Sequence, residues 1–333
     1  MNSTKTIGII GGGQLGQMMA ISAIYMGHKV VTLDPAADCP ASRVSDMIVA
    51  PYDDVEAMRE LAKRCDVLTY EFENVDADAL DVVVKEGQLP QGTDLLRISQ
   101  NRIFEKDFLA KTAGVKVAPY KVVTSSLDLE DIDLSKKYVL KTATWRLWLV
   151  MVKSWLNQLK NLADANKLAN SCECVLEEFV NFDLEISVIV SGNGKDMTVF
   201  PVQENIHRNN ILSKTIVPVA FLMNLLKKRK AMAVQIDWKL ELSGTLCVEM
   251  FATPDDIIIN EIAPLPIIQD TIQLKPVIFH NLTHIFWEFS ACHFQEFTSI
   301  NQLLCWMFLG NTWKKHKLMC KKILAAHLHL YGK

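Results

Sequence analysis

The segment GIIGGGQLGQMM (Gly8–Met19) runs from a buried strand into a helix through consecutive glycines. Glycines at such a turn let the backbone approach a ligand, and the free N–H groups at the start of the helix favour phosphate. Gly11, Gly13 and Gly16 fit the three glycine positions of a dinucleotide fingerprint. Asp34, at the end of the next strand, would then accept from the ribose of a nicotinamide or flavin cofactor, as an NAD-dependent oxidoreductase requires. A tight turn that packs helix against sheet accounts for the same glycines, and this segment alone leaves both readings open.

The elements around the turn alternate. Strands are predicted at Thr6–Ile10, Lys29–Leu33 and Val67–Tyr70, and helices at Gln14–Met26 and Val55–Arg64. Such alternation gives a parallel sheet covered on both faces. From Arg102 the pattern changes. A helix over Phe104–Thr112 is followed by predicted strands at Tyr138–Lys141, Cys174–Glu178, Glu185–Val190, Thr198–Gln203, Leu246–Phe251 and Ile257–Ile262, an α+β unit of antiparallel character. After Pro264 the regularity fades.

Composition narrows the function classes. The 333 residues suffice for two or three domains, and with 50% hydrophobic residues the chain can bury a sizeable core. A net charge of -3 without a basic stripe argues against nucleic acid as a partner. The eight cysteines lack C-x-x-C pairs, which fits a reducing compartment better than a disulfide framework. MNSTKTIGII leads straight into a strand without a signal peptide, and no apolar run reaches membrane-spanning length, so a cytoplasmic protein is expected.

In order along the chain, TIGIIGGGQLGQMMA, LDPAADCPAS and CDVLTYEFENV (Cys65–Val75) together resemble the N-terminal domain of the carboxyaminoimidazole ribonucleotide synthases. These are ATP-grasp ligases of purine biosynthesis. The resemblance implies an α/β N-terminal domain with a parallel sheet (Rossmann-like, pre-ATP-grasp) followed by an α+β ATP-grasp domain. It implies that the first domain binds the ribonucleotide substrate and no dinucleotide, with Gly13, Gln14, Leu15, Glu73 and Asn74 near that substrate. For each of these, strand-end packing is the competing account. The implied division is 1–101 for the substrate domain, 102–275 for the ATP-grasp domain with a lid at about 113–180, and 276–333 for an aberrant tail.

The second unit continues the resemblance through ISQNRIFEKDFLAKTAGVKVAPY, YVLKT, CVLEEFVNFDLEISVIV, FPVQENIHRNNIL, CVEMF and IINEIAP. The residues it supplies suit ATP chemistry. Phosphates need cations, and Arg102 and Lys141 are the candidates. Glu177, Glu178, Phe179 and Val180 form an extended stretch whose backbone could meet an adenine, and Glu185 could hold ribose hydroxyls. His207 could position substrate or phosphate. Magnesium takes oxygen ligands, which Glu249 and Glu261 would provide from neighbouring strands facing one way, with Asn260 beside them. Taken singly, each is also a solvated strand-end charge. The reaction implied is carboxylation of 5-aminoimidazole ribonucleotide with bicarbonate, using ATP and magnesium, in a homodimer. No covalent nucleophile is needed, and none is evident. A ligase acting on another carboxylate or purine precursor is the alternative within the same fold.

Two family signatures are absent. A glycine-rich phosphate lid should follow Thr144, where WRLWLVMVKSW stands, and R-P-H-N-S-G-H should follow Pro264, where LPIIQDTIQLK stands. Both fit a slipped reading frame, introduced by a sequencing error or carried by a frameshifted pseudogene; a divergent paralogue with a rebuilt lid is the alternative. Codons for His-Asn-Ser-Gly-His-Tyr-Ser-Ile-Glu read one base late spell Ile267 to Lys275. A slipped Thr-Gly-Gly-Tyr-Gly spells Trp145 to Trp148, and a slipped Gly-His-Gly-Gln-Val-Met spells Val150 to Trp155. Because glycine codons begin GG, slippage creates tryptophan, and Trp145, Trp148, Trp155, Trp287, Trp306 and Trp313 all fall in these regions. Ala220–Leu226 fits a third, shorter slip. Resequencing codons 140–160 and 215–275 should reveal the discontinuities. An unbroken frame encoding WRLWLVMVKSW in several isolates would overturn this reading.

Overall fold

The structure, a computed structural model, describes residues 4–264 except 86–88, 145–153, 156–158, 194, 209–210, 218–231, 237–238 and 241. Trp145, Trp148, Ala220–Leu226 and everything after Pro264 lie outside the described residues.

The first unit opens with β1 (Thr6–Ile10), α1 (Gln14–Tyr25), β2 (Lys29–Asp34), β3 (Asp46–Val49), α2 (Val55–Arg64) and β4 (Val67–Tyr70). Its sheet is parallel throughout, in the order β3-β2-β1-β4. Ile7, Ile9, Ile10, Leu33, Leu68 and Tyr70 are buried within it. Burying an aliphatic side chain of this kind contributes roughly 1.5–3 kcal/mol. Sequence signals mark the ends. Gly27 (φ 86°) takes the left-handed conformation that stops α1. Asp54 caps α2 by accepting from the N–H groups of Glu56 and Ala57. The strand order reverses at β1, whose neighbours β2 and β4 lead away on opposite sides. A crevice for ligands therefore forms beyond the carboxyl ends of β1 and β4. The two chain segments leaving those ends are the glycine turn and Glu71–Val75.

α3 (Ala77–Lys85) and α4 (Asp94–Ser99) lead to α5 (Arg102–Asp107), capped by Asn101. A helix was expected over Phe104–Thr112. The structure starts it earlier and turns Phe108–Thr112 into a π-helical turn that ends before Gly114 (φ 64°). A small antiparallel sheet follows, in the order β5-β8-β6-β7. It comprises β5 (Tyr120–Val123), β6 (Tyr138–Thr142), β7 (Ser154–Trp155) and β8 (Cys174–Glu178), with α6 (Leu159–Ala169) between β7 and β8.

The larger antiparallel sheet holds β9 (Leu184–Asn193), β10 (Met197–Val199), β11 (Gln203–Arg208), β12 (Ile211–Ile216), β13 (Ser243–Ala252) and β14 (Ile257–Pro264). Its order is β12-β11-β9-β13-β14, with β10 paired to β9. The single strand expected over Thr198–Gln203 is two strands. Pro201 falls in the gap, and proline cannot donate to a ladder. One face of the sheet is apolar, with Ile186, Val188, Val190, Leu246, Val248, Met250, Ile257 and Ile259 in a single core. The other carries Ile189, Cys247 and Phe200 at one end and turns polar towards Ser187, Glu185 and Glu249 at the other.

Gly16 makes the closest backbone approach in the first unit. A Cβ there would lie 2.2 Å from the carbonyl oxygen of Gly11. Gly16→Ala should therefore destabilise the protein by about 1–3 kcal/mol, the range for overpacking. A wild-type melting temperature for this variant would contradict the packing.

Candidate active site

At the crevice of the parallel sheet, the start of α1 is already occupied by a carboxylate. Glu71, one residue past β4, accepts from the N–H of Gly13 at 2.7 Å and of Leu15 at 3.1 Å. Burial pushes this carboxyl above its ordinary range, opposed by the backbone N–H groups of Gly16, Gly13 and Leu15. A pyrophosphate would have to take the same donors. Asp34 is also engaged, accepting from Gly12 N–H and Tyr52 Oη, at 2.7 and 2.6 Å, and from Ala36 N–H. The dinucleotide reading therefore fails on both counts: an internal anion fills the phosphate position, and the expected ribose acceptor is spent on the fold. Gly13, Gln14 and Leu15 lie on the segment that leaves β1, and Glu73 and Asn74 on the segment that leaves the neighbouring β4.

A second cluster gathers where α5, the small sheet and the large sheet meet. Arg102 and Lys106 lie one helical turn apart, so both point the same way. Arg102 donates to Glu261 at 3.1 Å. Lys106, 0% exposed, lies 3.1 Å from Glu177 Oε2 and donates to the carbonyl of Asn260 at 2.7 Å. Lys141 reaches the other Glu177 oxygen at 3.0 Å. Glu105, also buried, accepts from Ile262 N–H at 2.6 Å. The Asn260 carbonyl is available because β14 bulges there: Glu249 pairs with Glu261 and Met250 with Ile259, leaving Asn260 as the extra residue.

These contacts set the charge states. Burial pushes the Glu177 carboxyl up, but Lys106 and Lys141 outweigh it and hold it below the usual carboxylate range. Glu261 is only half-buried; burial pushes its carboxyl up, but Arg102 and then Lys141 outweigh it and hold it down to about 2. Burial opposes the Arg102 charge, and Glu261 and Glu105 outweigh it. Burial and the Glu261 charge push Glu105 up to about 7.

The polar face of the large sheet continues this cluster. Glu249 lies directly across from Glu261 on one side and from Ser187 on the other. The carboxylates thus share one face, as expected. Glu185 pairs with His207 Nδ1 through its carboxylate. Asn205 links Ser187 to Thr215 by hydrogen bonds of 3.0 and 3.1 Å. The Asn260 side-chain oxygen is buried without a hydrogen-bond partner among the described residues. Oxygen donors from Glu249, Glu261 and Asn260 suit a hard cation.

The segment proposed for adenine is only partly free. Glu178 N–H donates to Pro119 and Phe179 N–H to Lys137, and the Glu178 side chain pairs outward with Lys136. Lys106, Glu105 and Glu71 were not foreseen. RIFEK carried a signal in its Arg102/Lys106 spacing around Glu105.

Comparison with known proteins follows the same division. Residues 4–100 match the ribonucleotide synthetase preATP-grasp domain, and residues 108–267 match the ATP-grasp domain. A preATP-grasp unit joined to an ATP-grasp unit defines an ATP-dependent ligase of the carbon–nitrogen kind. An N5-carboxyaminoimidazole ribonucleotide synthase from Bacillus subtilis is 40% identical over 312 residues, covering 92% of this chain and 77% of that protein. A solved N5-carboxyaminoimidazole ribonucleotide synthetase in complex with ADP superposes with a TM-score of 0.77 at 46% identity, covering 81% of this chain and 72% of that one. An Aspergillus clavatus N5-carboxyaminoimidazole synthase, solved with ADP and 5-aminoimidazole ribonucleotide, gives 0.70 at 25% identity, covering 79% and 70%. The chain belongs to the N5-carboxyaminoimidazole ribonucleotide synthase family, ligases of purine biosynthesis.

The Glu105 environment predicts a pH effect. Its folded pKa lies above the unfolded value, so its contribution to stability is complete below the ordinary carboxylate range and is lost as pH rises through about 7. Glu105→Gln keeps an acceptor for Ile262 and removes the charge. Its melting temperature relative to wild type should rise between pH 5 and pH 8. A constant difference across that range would contradict this account.

Proposed function

We propose that the chain catalyses the ATP-dependent carboxylation of 5-aminoimidazole ribonucleotide with bicarbonate. In this reading, residues 1–101 hold the ribonucleotide and 102–275 form the ATP-grasp unit, with a lid at about 113–180. The observation that carries the proposal is the meeting of Arg102, Lys141, Glu249 and Glu261 at one end of the large sheet's polar face. Cations for phosphates and paired carboxylates for a divalent ion are what phosphoryl transfer demands. The first step moves the terminal phosphoryl group of ATP to a bicarbonate oxygen, giving carboxyphosphate and ADP. The exocyclic amine of the ribonucleotide then attacks the carboxyl carbon and displaces phosphate, or attacks the carbon dioxide formed once carboxyphosphate has released its phosphate; on either route the nitrogen gives up one proton.

The chain's own residues position and neutralise. Lys141 and Arg102 face the transferring phosphates, each already oriented by a carboxylate. Glu177–Val180 flank the adenine, Glu185 meets the ribose and His207, its partner, a phosphate or substrate oxygen. Gly13, Gln14, Leu15, Glu73 and Asn74 line the ribonucleotide crevice. Glu249 and Glu261, with Asn260, would hold magnesium, which when bound neutralises phosphate charge.

Glycine-rich lids supply backbone N–H groups to phosphates, and the residues following Thr144 in this chain are not of that kind. Leu265 stands where the family carries an arginine, which removes one anion contact. ADP release should therefore depend on both bicarbonate and the ribonucleotide but remain slow. Restoring the glycine-rich loop should raise the rate by about 100-fold or more, the scale for preorganised phosphate or oxyanion donors. ADP release indifferent to the ribonucleotide would overturn the proposed reaction. Rapid turnover by the unaltered chain would overturn the account of the lid.

A further inference from the structure

The two clusters described above are joined through three consecutive residues, the two between α4 and α5 and the first of α5. Gln100 reaches back to the first unit. Its side-chain amide donates to the carbonyl of Glu73 at 2.5 Å and to that of Val75 at 2.7 Å. Both hydrogens of one amide nitrogen are thus spent on the backbone either side of Asn74. Asn101 caps α5 and bridges to Thr144. Arg102 donates its N–H to the carbonyl of Ala143 at 2.8 Å and its guanidinium to Glu261. The backbone carrying Gln100 is therefore anchored in the phosphate-facing cluster, while its side chain sets the conformation of Glu73–Val75. Val75 is buried at 1% exposure and Asn74 is exposed, so the two carbonyl contacts hold a segment that turns from the core to the crevice.

We propose that Gln100 is a positioning residue for the ribonucleotide. It presents Glu73 and Asn74 to the substrate at a fixed distance from the ATP cluster, so that the amine and the activated carboxyl group are registered against each other. This rests on the proposed ribonucleotide site. Small misplacements of reacting groups are costly, and a rigid link between two half-sites avoids them. Glutamine suits the task because two carbonyl acceptors need two donors. A carboxylate of the same shape offers none and repels both.

Binding of 5-aminoimidazole ribonucleotide and of ADP, measured separately by calorimetry on the full chain, tests the assignment with Gln100→Ala and Gln100→Glu. Both variants should bind the ribonucleotide at least about 10-fold more weakly, with ADP affinity within about twofold of wild type. For Gln100→Glu the defect should shrink as pH falls and its carboxyl gains a proton. Undiminished ribonucleotide binding by both variants would overturn the proposal and leave the proposed reaction standing. Equal weakening of both ligands together with a lower melting temperature would also overturn it, since Gln100 would then be a structural residue. A wild-type chain that binds ADP but not the ribonucleotide would overturn the proposed function and this inference with it.

Discussion

A lysine ammonium without exposed surface organises the second half of the molecule. Lys106 comes from α5, its carboxylate partner Glu177 from the small sheet and its carbonyl partner Asn260 from the large one. Three elements distant in sequence must therefore arrive together, because a buried charge that loses its partner costs roughly 3–5 kcal/mol. The same contact sets the next ones. With Lys106 on one oxygen of Glu177, Lys141 takes the other. With the bulge at Asn260 held, Glu261 turns to the face it shares with Glu249. The charges that face ATP in the proposed reaction are thus oriented by charges that stay inside.

The first half solves a related problem in the opposite way. The start of a helix after a glycine turn attracts an anion, and here the chain supplies its own in Glu71. A fold that elsewhere receives dinucleotides is closed to them by one side chain. Glu73 and Asn74 follow Glu71 on the same segment, half-buried and exposed respectively.

Much of the fold was legible in the sequence. The bounds of α2, β4 and β8 were read correctly: Asp54 caps α2 ahead of the spaced Ala57, Met58, Leu61 and Ala62, and β4 and β8 are short runs buried almost throughout. The expected strand over Thr198–Gln203 failed because apolar content masked the effect of Pro201. The helix expected over Phe104–Thr112 missed its π-helical turn, which no residue type announces. The facing of Glu249 and Glu261 followed from strand alternation. The bulge beside them, at Asn260, was written in the spacing of Ile257, Ile259 and Ile262, two residues and then three. Lys106 and Glu105 were harder: on a short helix of mixed character, charged residues look like a solvated face, and only the elements folded over them make them interior. Glu71 was hidden by its neighbour Glu73, since a sequence does not say which of two nearby acids turns inward.

The small sheet leaves the large one at Ala118–Pro119 and returns at Phe179–Phe182. Glu178 N–H, bonded to the Pro119 carbonyl, holds the two crossings side by side. Two adjacent crossings make one narrow neck, and the ring of Phe182 in the returning crossing stacks on Phe251, 4.5 Å away. Beyond the neck the small sheet is tied again to α5 and its cap residue, by the Lys106–Glu177 ion pair, the Arg102 N–H to Ala143 hydrogen bond and the Asn101–Thr144 bridge. Two separate tethers fix its tilt as well as its position, so α5 acts as the brace that keeps Lys141 aimed at the large sheet.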